Sequence, residues 1–206
     1  MNIHQALSGI AQIRQQIDRA ESYRGFRSAT TALSGALAIV GGLLMSKTTL
    51  CSAVFPAASE TNLFLIGWIV IACISVAITC VEMIVRARRD ESGLVWRMHG
   101  NIAIQIIPTF LVGVVMSWLL VTHSLTTVLP GVWAMIYGLA LIACVQHLPR
   151  SSRWVAIYFI VGGILAIVFN APAIEGLHLQ MMVLFGLGQL ALGGILHWRM
   201  EQNDHV

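Results

Sequence analysis

The chain has 206 residues, of which 57 % are hydrophobic and 10 % charged. Soluble domains carry about 25 % charged residues, so this composition excludes an ordinary soluble protein and leaves most of the surface for lipid. The formal net charge of +3 is small, and the basic residues flank apolar segments instead of forming a patch, which excludes a nucleic-acid surface.

Residues 1–25 hold Gln5, Gln12, Arg14, Gln15, Gln16, Asp18, Arg19, Glu21 and Arg24 without a continuous apolar run, so no signal peptide is expected there. Within them Ile3, Leu7, Ile10, Ile17 and Ala20 recur at helical spacing, with Ile13 on the same flank. An amphipathic helix over 3–24 is expected, lying in the cytoplasmic headgroup layer or packing within the chain. A coiled-coil partner is the alternative, although Arg14 interrupts a strict heptad seam. The domains expected are this cytoplasmic segment (1–27), a transmembrane domain (28–198) and a short cytoplasmic tail (199–206).

Six apolar segments follow, at about 28–46, 62–85, 101–122, 130–148, 154–170 and 178–198, each near the roughly 20 residues that span a bilayer. The fold class expected is all-α, a polytopic transmembrane helical bundle of six spans. Short connections predict antiparallel neighbours. Pro56, Pro130-Gly131, Pro149 and Pro172 mark segment ends, and Pro108 lies inside the third segment, where it should kink the helix. Eleven of the twelve cationic residues fall on one side: Arg14, Arg19, Arg24, Arg27, Arg86, Arg88, Arg89, Arg97, Arg150, Arg153 and Arg199. Lys47 alone falls on the other. That bias predicts both termini inside and, for a clean positive-inside pattern, a bacterial cytoplasmic (inner) membrane.

The centre of the chain, Trp68 to Trp118, reads as two helices joined by the basic loop Arg86-Ala87-Arg88-Arg89-Asp90-Glu91. The first carries Ala72, Ser75, Thr79, Glu82 and Arg86 on one stripe, and the return helix Asn101, Gln105, Thr109, Gly113 and Ser117. The other segments have comparable stripes: Thr30, Ser34, Ala38, Gly42 and Ser46; Tyr137, Ala140, Cys144 and His147; Tyr158, Gly162, Ala166 and Asn170; His178, Met182, Gly186, Gln189, Gly193 and His197. Small and polar residues at this spacing let helix backbones approach and hydrogen-bond. The same stripes would serve to line a solute path, with Glu82, Asn101, Gln105 and Gln189 as its polar lining. Glu82 is an intramembrane carboxylate, which usually has a partner, and Arg86 one turn away supplies an i, i+4 ion pair. The competing role is a proton or cation site shared with Asn101 and Gln105.

Chemistry-bearing motifs are sparse. His99, His147 and His197 fall near one face and His123 and His178 near the other. His147 and His197 are the weak candidates for holding a haem or other cofactor, but every histidine in these layers sits at a helix end and no HExxH pattern occurs. Neither a cofactor nor a metal is therefore expected. Cys73, Cys80 and Cys144 lie within apolar segments, and Cys51 lies alone in an outer loop, as a free thiol or a disulfide to a second chain. Gly186-Leu187-Gly188 lacks the strand that a dinucleotide fingerprint needs, and no GxSxG turn is present. Two functional classes follow. One is a non-enzymatic accessory or assembly subunit of a membrane complex, with the bilayer and another membrane protein or further copies of itself as partners. The other is a small-solute or ion transporter or channel.

Overall fold

A computed structural model describes residues 28–46, 59–89, 94–145, 148–169 and 173–198. Among them every regular element is helical. The helices are α1 (Ser28–Ser46), α2 (Glu60–Arg89), α3 (Leu94–Thr122), α4 (Leu129–Ala143), α5 (Ser152–Val168) and α6 (Ile174–Leu196), with a 3₁₀ turn at Thr126–Val128. The expected amphipathic helix over 3–24 and the tail 199–206 lie outside the described residues.

Four helical stretches are long and apolar enough to cross a membrane: Ser28–Ser46, Glu60–Val85, Thr126–Ala143 and Ile174–Leu196. Two further apolar stretches, Ile106–Thr122 and Ser152–Val168, are shorter. The outward side chains of the bundle are apolar almost throughout, including Ile104, Leu111, Val114, Trp118, Val168 and Phe169. A water-facing monomer does not tolerate so large an apolar surface; a multi-pass membrane protein requires it.

Local chemistry sets several helix ends. Ser59 caps α2, its hydroxyl accepting the Asn62 backbone N–H at 3.3 Å, and Glu60 adds a carboxylate to the positive end of the helix dipole. Helix α6 begins at Ile174, ahead of the expected 178, with Glu175 in its first turn doing the same. Pro130 sits in the first turn of α4, where its missing N–H costs nothing. Helix α3 ends in a Schellman turn: Leu125 N–H bonds the Leu120 carbonyl at 2.8 Å and Ser124 N–H the Val121 carbonyl at 3.1 Å. The turn places Ser124 at φ 59°, the left-handed position glycine normally fills.

Consecutive helices run antiparallel, as do α1 and α6, and glycines mark the close approaches. A Cβ on Gly35 would lie 2.8 Å from the Gly186 carbonyl, and one on Gly193 would lie 2.9 Å from the Ala32 nitrogen, so α1 and α6 meet backbone to backbone. Helices α4 and α5 do the same at Gly131 with Gly163 and at Gly138 with Ala156. Gly41 and Gly67 seat Ile71 and Met45 between α1 and α2. Helix α6 completes the arrangement by packing on α5, with Gly162 under Leu184 and Gly188 on Phe159.

Two apolar cores result. One joins α4, α5 and α6 around Ala134, Leu141, Phe159 and Leu192; the other joins α1, α2 and α6 around Ala38, Phe64, Trp68 and Met181. Helices α2 and α3, joined by the basic loop, touch each other only slightly among the described residues. Gly113 and Ser117 of the α3 stripe turn toward α4, with Gly113 beside Ile136 and Trp133 Nε1 donating to Ser117 Oγ at 2.7 Å. Among the described residues the seam between α2 and α3 is therefore a loose one.

Candidate functional site

Apart from the Trp133–Ser117 bond, the polar contacts between helices described below all involve α6. Its middle, Met182–Leu187, is π-helical. A π turn shifts the backbone hydrogen bonds and leaves a carbonyl to be satisfied from outside, and such turns often occur at functional positions. Here the Tyr158 hydroxyl donates to the Val183 carbonyl at 2.6 Å. One turn further on, Gln189 Nε2 donates to Tyr137 Oη at 2.7 Å. The Tyr137 ring rests against Phe159 and Phe185, with centroids 4.7 and 5.8 Å away, and Phe159 and Phe185 lie 5.5 Å from each other. At the start of α6, Gln180 Nε2 reaches the Ala166 carbonyl of α5 at 3.4 Å, while Gln180 Oε1 is buried without a hydrogen-bond partner.

A second polar contact lies near the N-terminal ends of α2 and α6. Trp68 Nε1 donates to His178 Nδ1 at 3.2 Å, and the edge of Phe64 meets the imidazole at a centroid distance of 5.1 Å. All three side chains are buried. The sequence places His178 at a helix end near one membrane face; there the structure closes it in against two aromatic residues of α2. Nothing local signals this pair, because its members stand 110 residues apart.

The candidate residues are distributed as follows. Gln189 is part of the aromatic cluster just described. Glu82 is half-buried on α2, with Oε1 buried. Asn101 and Gln105 belong to α3, but their side chains fall outside the described residues. His147 also falls outside them, and His197 is exposed at the end of α6. Among the described residues no group of three or more His, Cys, Asp or Glu side chains comes together to hold a metal ion. Cys73 and Cys80 are exposed on α2 and Cys144 is buried, all three as free thiols.

The small-residue faces are used for packing. At Gly35, Gly131, Gly138, Gly163 and Gly193 an added methyl would fall within 3.0 Å of backbone atoms of the adjacent helix. A gap too narrow for a methyl group does not pass a solute at those positions. The hydrogen bonds of the α6 cluster join neutral groups, which fix helix register and supply neither a nucleophile nor an acid–base pair. No family model, no curated protein and no solved structure matches this chain.

Proposed function

We propose that this chain is a non-enzymatic accessory or assembly subunit of a membrane complex. The observation that carries the reading is that the glycine faces of α1, α4, α5 and α6 are consumed by contacts with one another, while most of α2 beyond Trp68 and the outer face of α3 stay uncovered. A protein whose interior is filled by its own helices acts most directly through its outer surface. The topology that goes with the proposal has six spans and both ends inside a bacterial cytoplasmic membrane. The 17 residues of α5, at about 1.5 Å each, reach about 25 Å, and a slightly thinned bilayer accommodates that length. The eleven-to-one division of cationic residues supports the orientation. Residues 1–27 would offer a cytoplasmic arm for a partner.

Native mass spectrometry of the protein, extracted gently from its own membrane, tests the proposal. A second polypeptide, or a multiple of the 22.4 kDa chain, is the expected result. A single chain carrying only lipid would refute it. The second reading, a small-solute or ion transporter, draws on Glu82, a carboxylate on the loosely packed side of α2. If Glu82→Gln and Gln189→Leu leave the cellular phenotype intact while changes within 3–24 abolish it, transport through this bundle fails.

A further inference from the structure

Helix α2 is held to the bundle by very little. Among its described side chains only Phe64 and Trp68 are buried, and both touch His178 of α6. Helix α2 also rests on α1, with Met45 over Gly67, Ile71 over Gly41 and the Trp68 indole beside Gly42, and Leu65 packs against the same core. The indole N–H is a donor only, so the His178 nitrogen 3.2 Å away must present a lone pair. In an imidazolium both ring nitrogens are donors. A proton on Nδ1 therefore removes the acceptor and sets two N–H groups against each other inside an aromatic enclosure.

We infer that His178 is a proton-sensitive latch, which holds the N-terminal end of α2 on α6 when neutral and releases it when protonated. The surroundings oppose a buried imidazolium. Helix α1 brings no titratable side chain to α6, and α4 brings only Tyr137. On α2, Glu60 stands one turn before Phe64 and is exposed, and the remaining titratable groups begin at Cys73, beyond Trp68. On α6 itself Glu175 is exposed, one turn before His178. Both carboxylates are exposed while the contact is buried, so a charged ring gains by moving outward and leaving Trp68. Helix α3, fastened to α4 through Trp133 and Ser117, stays while α2 swings. The latch is independent of whether the chain acts as a subunit or a carrier.

The test uses the full chain in lipid nanodiscs, with Cys51, Cys73, Cys80 and Cys144 replaced by Ala. Spin labels are attached at Ile66→Cys near the N-terminal end of α2 and Leu165→Cys on α5, both at exposed positions. Distances are compared at about pH 7.5 and about pH 5, on either side of the usual histidine range. The parent should give one population at the higher pH and gain a longer, separate one at the lower. The variant His178→Gln offers a carbonyl to the indole but cannot take up a proton, and should keep the neutral-pH distance at both. In ¹⁵N-tryptophan-labelled protein with His178 retained, the Trp68 indole signal, assigned through its loss in Trp68→Phe, should shift between the two conditions. A parent whose distance does not change, a His178→Gln variant that changes as the parent does, or a stationary Trp68 signal would each overturn the latch.

Discussion

Gly163→Ala probes a backbone-to-backbone approach between α4 and α5. A methyl on Gly163 would sit 2.6 Å from the Gly131 carbonyl oxygen, against the 3.4 Å at which ordinary contact begins, a shortfall of 0.8 Å. The methyl would also stand 2.7 Å from Met135 Cγ, which can swing away, but the carbonyl belongs to the backbone of α4 and cannot. Helix α5 must therefore retreat by most of the shortfall. A gap of that size forfeits about a quarter to a half of the dispersion energy of each contact, itself about 0.1–0.2 kcal/mol. For about forty atom pairs along the seam the loss is roughly 2 kcal/mol. These contacts weigh more in a membrane, where helices associate by packing and not by the hydrophobic effect. Replacing a helical glycine by alanine returns about 1 kcal/mol of intrinsic helix preference, leaving a net loss of about 1 kcal/mol, within the usual range of overpacking costs.

The control is Gly194→Ala. Nothing lies within 4 Å of a Cβ there, so only the helix gain applies and the two variants should differ by about 2 kcal/mol. Unfolding by SDS in mixed micelles, followed by tryptophan fluorescence, measures the difference. If Gly163→Ala is as stable as Gly194→Ala, the backbone-to-backbone seam between α4 and α5 is wrong.

Two further experiments test other joints by the same unfolding assay. Ser124→Gly relieves a left-handed residue at the end of α3 and should stabilise the chain by up to about 1 kcal/mol; a destabilised variant would argue against the Schellman turn. A double-mutant cycle between Tyr137→Phe and Gln189→Leu should return a coupling of about 0.6–1.5 kcal/mol for their hydrogen bond, whereas additive effects would mean that the two side chains do not meet.

The sequence by itself determined the class of structure. Apolar runs of membrane length leave the backbone no partner but itself, so helices are forced; a helix over Ser28–Ser46 was legible, as was the antiparallel packing of consecutive helices implied by short connections. The inclusion of Pro108 in α3 was legible as well, since a proline within a long apolar run interrupts one bond without ending the helix. Which face each helix buries was not legible. These helices are apolar nearly all round, and several carry small residues on more than one side, so periodicity alone cannot choose. On α4 the stripe read from Tyr137, Ala140 and Cys144 competes with Gly131, Ala134 and Gly138, and the latter meet α5 because Gly163 and Ala156 oppose them. Gln189 was recognisable as a polar residue in an apolar helix, but its partner Tyr137 was not. The tertiary structure alone decided that Trp68 meets His178, that Tyr158 satisfies the π turn of α6 and that α2 and α3 touch only slightly among the described residues. Each of these depends on the register and rotation of helices distant in sequence, which the packing of the whole bundle sets.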